Sequence, residues 1–310
     1  MLQRILFGPQ RPVTNLGGIT TNSDLPAGPI AVISAGWQEN EEFTDDVADI
    51  VRRPLHNLRL YHRADEVFAG DPKLHETYRE RQESLIGLQR LYRARLRQLI
   101  IAARQLQQSK ADPDLLKQER RHAIAQLKTL DRHHLRRVEA IHTSYADAIS
   151  TAESAALASQ VEDIGKQLAD YETVLITGGN VVVLMNRLRL FGMAELLSKK
   201  HIIAWSAGAM VLGAHIMLFH DRMPQRRREP EFLSAGTGII PGFVFLPDAK
   251  HRLKGKDNAR VDLLRRRLLP ANGVTLDSGA MLSFGDGNLR EAEEARRLSE
   301  GSGLVRVRTV

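Results

Sequence analysis

Ser206 stands in the run Ile203-Ala-Trp-Ser-Ala-Gly-Ala, where an apolar stretch leads into a small residue, any residue, serine, any residue and glycine. This is the sequence form of a nucleophile elbow. On a tight strand-to-helix turn, only small neighbours at 204 and 208 avoid a clash. The hydroxyl then projects beyond the carboxyl end of the strand, beside the positive end of the following helix. The Ala207 N–H points to where an oxyanion would form. The chemistry this suits is attack on a carbonyl carbon. The plainer alternative is a serine that only caps a helix. A second candidate is Leu175-Ile-Thr-Gly-Gly-Asn. Two glycines at a strand end permit positive φ and close backbone approach to a ligand. Their N–H groups are candidates for the other half of an oxyanion hole, the alternative being an ordinary tight turn.

Other chemistries are excluded or weakened by composition. The 310 residues contain no cysteine, which removes thiol nucleophiles, disulfides and cysteine-ligated metals together. His122, His133 and His134 lack carboxylates at ligand spacing and read as a solvated helix face rather than a metal site. Phosphate loops and dinucleotide fingerprints are absent, since the glycines at 178–179 lack the further spacing both need. Neither metal nor cofactor is expected. No stretch approaches the ~20 apolar residues of a spanning helix, and the apolar cluster at Met1–Phe7 is shorter than a secretory signal needs. A soluble, cytoplasmic protein is the expectation.

Apolar residues are 43% of the chain and charged residues 26%, the balance of an ordinary globular protein. The net charge is +7. Residues 71–140 hold 16 Lys/Arg against 9 Asp/Glu and account for the whole excess. Within that segment Tyr78 and Tyr92 are the only aromatics, which argues against a nucleic-acid arm built on stacking.

The elements that must position Ser206 follow from periodicity. Residues 1–27 read as an irregular lead-in. A strand is expected at Ile30–Ser34, a helix after the acidic residues 39–46, and a second strand at 57–61. From 71 to 168 glycine nearly disappears. Leu85, Leu88, Tyr92, Leu96, Leu99 and Ala103, and later Ile124, Leu127, Leu130, Leu135 and Val138, recur at helical spacings. Asp112-Pro113 can cap and start the second of two long antiparallel helices. The apolar stripe of this hairpin is expected to pack on its partner helix or on a second subunit. A further helix spans 151–169. After Tyr171, strands at 173–177, 201–205, 238–242, 243–246, 273–277 and 280–284 alternate with helices at 182–199, 206–212 and 257–268. The last two strands suggest a hairpin, and Gly285-Asp-Gly-Asn suggests a turn. Alternation of this kind predicts an α/β fold with a mostly parallel sheet flanked by helices. The expected organisation is residues 1–70 and 169–310 as parts of one α/β domain, with 71–168 inserted as a long helical hairpin.

Gly178-Gly-Asn, Trp205-Ser-Ala-Gly-Ala and Asp221-Arg-Met-Pro, in that order, resemble the dipeptidase E and cyanophycinase family of serine peptidases. Gly238-Ile-Ile-Pro-Gly-Phe-Val-Phe-Leu-Pro and Val274-Thr-Leu-Asp-Ser-Gly-Ala are similar to further stretches of that family. The resemblance covers roughly residues 171–290 and not the helical insert. It implies a class I glutamine amidotransferase-like fold and hydrolysis of an amide bond in a small peptide, such as an Asp-containing dipeptide or an Arg–Asp polymer. It implies Ser206 as nucleophile and Gly179 in the oxyanion turn. Asp221 matches the acid that orients the histidine, with Asp277 or Ser278 as the alternative. At the family's histidine this chain has Asp248, and His251 lies three residues on. A serine needs a base within hydrogen-bond reach. His251 fits if 248–251 form one helical turn, because i and i+3 share a face. Otherwise the chain is a catalytically inactive relative that binds or assembles on the same fold.

Overall fold

The computed structural model describes residues 1–18, 25–220, 228–301 and 303–308. In chain order its elements begin with β1 (Gln3–Phe7), β2 (Ile30–Ile33), a 3-10 turn at Ala35–Asn40, α1 (Asp45–Val51), β3 (Leu55–Asn57) and α2 (Leu60–Gly70). The long helices α3 (Pro72–Gln108) and α4 (Pro113–Ser144) and then α5 (Ala155–Ala169) follow. Next come β4 (Thr173–Ile176), α6 (Val181–Leu190), α7 (Met193–Ser198), β5 (His201–Trp205) and α8 (Ala207–Leu212). The chain continues through β6 (His215–His220), β7 (Arg228–Ala235), β8 (Phe243–Pro247), α9 (Ala249–Arg252) and α10 (Asn258–Leu268). It closes with β9 (Asn272–Leu276), β10 (Met281–Gly285), β11 (Asn288–Glu293), β12 (Arg296–Ser299) and β13 (Gly303–Arg306).

Seven strands form the central sheet in the order β11-β10-β1-β5-β4-β2-β3, of which β1, β5, β4, β2 and β3 run parallel. Every residue of β2 and β4 is buried, as expected for strands covered by helices on both faces. Strands β13-β12-β9-β8 form a smaller sheet and β6-β7 a ribbon. The architecture is the α/β fold expected, with four corrections. The lead-in contains a central strand, since β1 lies between β10 and β5. The 182–199 helix is two helices broken at Phe191–Gly192, where Gly192 has φ +61°. Strands β9 and β10 belong to different sheets rather than to one hairpin, and residues 238–242 form a turn instead of a strand. The turn at 285–288 joins β10 to β11, with Asp286 and Gly287 both at positive φ, the hairpin geometry their types favour.

The helical hairpin restarts as read, and its first helix opens in the same way. Asp71 accepts from the Leu74 N–H, and Asp112 from the Asp114 and Leu115 N–H groups, each ahead of a proline. Its apolar stripe, including Tyr92, Leu96, Ile100, Leu127 and Leu130, packs together with Leu263 of α10. The hairpin therefore does not stand free: it lies on β7 and α10 of its own chain. The seam is polar and buried. Arg267 donates from Nε to Asp131 Oδ2 at 2.8 Å and from Nη2 to Asp131 Oδ1 at 3.0 Å. Its Nη1 reaches the Pro230 carbonyl at 2.6 Å. Tyr92 donates to Asp131 Oδ1 at 2.6 Å. His134, expected on a solvated face, is buried; it stacks on Tyr92 at 3.9 Å between centroids, and its Nε2 lies 3.1 Å from the Phe232 carbonyl. At the wetter edge Arg93 and Arg104 each grip a β7 carboxylate, Glu231 and Glu229, with two hydrogen bonds.

Removing one partner of a buried ion pair leaves an uncompensated charge and costs about 3–5 kcal/mol, whereas replacing both by apolar residues is near neutral. Asp131→Ala is thus expected to lower unfolding stability by about that amount, and Asp131→Leu combined with Arg267→Met to recover most of it. Urea denaturation of the three chains checks this.

Candidate active site

The carboxyl ends of β1, β5, β4 and β2 make one rim, and Ser206 sits on it between β5 and α8. Its backbone has φ 50° and ψ −114°, a region sparsely populated by residues other than glycine. Strain of this kind costs on the order of 1–3 kcal/mol and persists only where the surroundings fix it. They do so here. The Ser206 N–H donates to the Phe7 carbonyl at 3.1 Å. A Cβ on Gly208 would come within 2.4 Å of the Ile176 carbonyl oxygen, so α8 approaches β4 more closely than any side chain permits. The small residue of the motif at 208 is therefore demanded by packing. The Ser206 side chain makes no capping bond to α8, which sets aside the helix-cap alternative. The Ala207 N–H opens that helix and has no carbonyl four residues earlier to bond.

The glycine turn faces the elbow. A Cβ on Gly178 would lie 3.1 Å from the Ser206 Cβ, and one on Gly179 would lie 2.3 Å from the Gly36 carbonyl oxygen. Gly179 also has φ +110°. Asn180 locks the turn from both sides. Its N–H donates to the Gly36 carbonyl at 2.7 Å, and its side chain caps α6 through the Val182 and Val183 N–H groups. The 3-10 turn after β2 completes this wall, with Trp37 against Trp205 at 6.4 Å between centroids. Gln38, in the same turn, is at φ 60° and ψ −126°.

Asp248 and His251 reach the rim from the smaller sheet. Residues 249–252 form the single helical turn α9, and Asp248 precedes it with φ 58° and ψ 35°. The Asp248 N–H donates to the Leu276 carbonyl at 2.9 Å. The Asp248 carboxylate binds His251 Nδ1 at 2.6 Å and Arg252 Nε at 3.3 Å. Asp277 accepts from the Lys250 N–H at 2.6 Å, so it holds the turn instead of bonding the imidazole. Its own carbonyl oxygen occupies the place where a Gly8 Cβ would be, at 1.9 Å. Gly8 follows Phe7, which bonds Ser206. The turn carrying His251 and the elbow carrying Ser206 are thereby tied to the same strand end. With Nδ1 engaged, His251 keeps Nε2 available, and its side chain is 67% exposed. Ser206 and His251 share no hydrogen bond in this structure. Ser278 exchanges hydrogen bonds with Val13 and stands apart from the imidazole. Asp221 lies outside the described residues.

Ser206, Ala207 and Gly179 lie together where β5 and β4 end, and Asp277 meets Gly8 at the end of β1. The reading did not assign Asp248 as the partner of His251. Its signal was available: Asp after Pro247 at a strand end, directly before a short helix, is a residue type that tolerates the left-handed region. Among the described residues no cluster of three His, Asp or Glu could hold a metal ion.

The fold and rim define an α/β protein with a strained serine at a strand-to-helix elbow facing a glycine turn. The model of Peptidase family S51 matches residues 132–292, just over half of the chain. The chain belongs to that family, the one whose dipeptidase E motifs it carries. Among solved structures, a peptidase from an acI-B1 Actinobacterium covers 100% of this chain and 95% of its own at 13% identity and a TM-score of 0.45. A Listeria monocytogenes EGD-e protein described as a peptidase E covers 96% and 100% at 11% identity and a TM-score of 0.44. No match to a curated protein sequence was found.

If packing imposes the strained backbone at 206, glycine relaxes it and alanine does not. Ser206→Gly is expected to be more stable than Ser206→Ala by about 1 kcal/mol, despite the greater freedom glycine gives the unfolded chain. Paired thermal melts measure the difference.

Proposed function

We propose that the protein is a serine peptidase that hydrolyses an amide bond of a small peptide, with Ser206 as nucleophile and His251 as base. The observation that carries this reading is the strained Ser206 at the elbow, facing the Gly178–Gly179 turn, with an aspartate-held imidazole on the same rim. In the reaction, Ser206 Oγ bonds to the amide carbon while His251 Nε2 takes the hydroxyl proton. The Asp248 carboxylate fixes the tautomer by accepting from Nδ1–H and stabilises the imidazolium, the role the acid has in a triad. Gly179 and Ala207 donate N–H groups to the oxyanion. His251 then gives its proton to the leaving amine, the C–N bond breaks, and water hydrolyses the acyl ester by the same base. The match to a peptidase family supports the reaction class; the role given to each residue is inferred from the rim geometry.

Assigning Asp248 as the orienting acid departs from the family resemblance, which implies Asp221 there. The alternative reading, a binding or assembly protein with the elbow kept for structure, is favoured by the exposure of His251 and its lack of a bond to Ser206. A fluorophosphonate that labels activated serines separates the two. Labelling of the parent chain is expected, with none for Ser206→Ala. General-base catalysis contributes about 10²–10⁴-fold, so His251→Ala should slow labelling within that range. Asp248→Asn should also slow it, and Asp221→Asn should leave it unchanged. An unlabelled parent chain selects the binding protein, and slow labelling of Asp221→Asn alone moves the acid to 221.

A further inference from the structure

The place where the helical hairpin lies on α6 holds two buried arginines with too few partners. Arg81 on α3 is 6% exposed, and its Nε and Nη2 have no hydrogen-bond partner among the described residues. Its guanidinium carbon lies 4.4 Å from the centre of the Tyr78 ring, and no carboxylate pairs with it among the described residues. Arg189, near the end of α6, gives Nη2 to the Ala235 carbonyl at 3.1 Å and approaches Glu139 at 4.0 Å, while its buried Nε has no partner. Both arginines line an open cleft of about 450 Å³ together with His142, Thr237 and apolar side chains such as Ile149 and Met185. Thr237 Oγ1 is a further buried atom without a partner there. Among the described residues the one carboxylate in the lining, Glu195, is engaged by Lys199 at 3.1 Å. The field is positive enough to act on its neighbour: burial, then Arg189 and Arg81, push the His142 imidazole down to about 3.

Buried polar atoms are nearly always satisfied by protein, water or an ion, and unpaired buried charge is costly. Two guanidinium groups from different helices, with apolar walls beside them, suit an oxyanion on an apolar stem. Arginine is the side chain that binds carboxylate or phosphate oxygens through a planar fork. We infer that the cleft between α3, α4 and α6 is a binding site for a small organic anion, a carboxylate or phosphate ester with an apolar body, held by Arg81 and Arg189. The site is separate from the elbow. Helix α6 starts just after the glycine turn, and Arg189 lies eight residues along it from Val181, about 12 Å at 1.5 Å per residue. Two of its three walls come from the hairpin.

The test needs no turnover. Thermal melts of the full chain are run at constant ionic strength with hexanoate, phenyl phosphate, acetate or inorganic phosphate. A ligand of the native state raises the midpoint in a saturable way. Hexanoate, phenyl phosphate or both are expected to do so at lower concentration than acetate and inorganic phosphate; which of the two acts tells carboxylate from phosphate. Arg81→Met removes charge-assisted hydrogen bonds to the anion and should raise the half-saturating concentration at least about tenfold. Arg189→Met should do the same and serves if Arg81→Met does not fold. Arg79→Met, exposed on the same helix, should match the parent. No saturable rise with either stemmed anion, or a rise that survives in the folded arginine variants, overturns the proposal. Equal response to the stemless anions overturns the apolar part of it.

Discussion

The backbone at Ser206 is the constraint on which the rim depends. A residue at φ 50° and ψ −114° is not held there by its own preference. It is held because β5 runs in register with β1 and β4, and because α8 must start within contact of the Ile176 carbonyl. The same close approach requires glycine at 208 and brings Gly178 against Ser206 from the other side. Sheet register, the two glycines and the serine's exposure are thus one geometric solution. A hydroxyl projecting from a bend that the sheet enforces needs no further element to aim it.

What joins the rest of the site to that bend is backbone bonding at the strand ends. Phe7 bonds Ser206, Gly8 bonds Ala280 and lies under the Asp277 carbonyl, and Asp277 holds the Lys250 amide of the turn that carries His251. Asp248 enters that turn at positive φ and binds the imidazole three residues on. A pair at i and i+3 needs only local folding to form. It is less exacting than a pairing across distant strands, and it places imidazole and carboxylate on one short element.

How far this was legible in the sequence depended on whether the signal was local. The small residues around Ser206, the glycine turn and the Asp112-Pro113 helix start are fixed by neighbouring residue types, and these were readable. Gln3–Phe7 was not read as a strand because it opens a stretch, 1–27, rich in Gly, Pro, Thr and Asn and without a clear period. In the fold Arg4 is buried and reaches out to the Ser198 carbonyl at 3.0 Å, a partner nearly two hundred residues away. His134 was misassigned as well. Its helix is amphipathic and charged, and only the docking of β7 turns that face inward. The pairing of Asp131 with Arg267 joins positions on separate helices, and no periodicity reports such a contact.

That pairing also explains how a long insert can coexist with a rim that tolerates little displacement. A hairpin of two helices over thirty residues long, docked through apolar contacts alone, can slide by a turn with small loss. One docked by a guanidinium that must meet Asp131, Tyr92 and the Pro230 carbonyl together has a single register. Buried ion pairs add little net stability but penalise wrong arrangements heavily. Arg93 and Arg104, each gripping one glutamate of β7, extend the same register along the ribbon. The ribbon joins α8 to β8, the strand that ends at Pro247, one residue before Asp248. Fixing the hairpin therefore fixes the segment between α8, which follows Ser206, and the turn that carries His251.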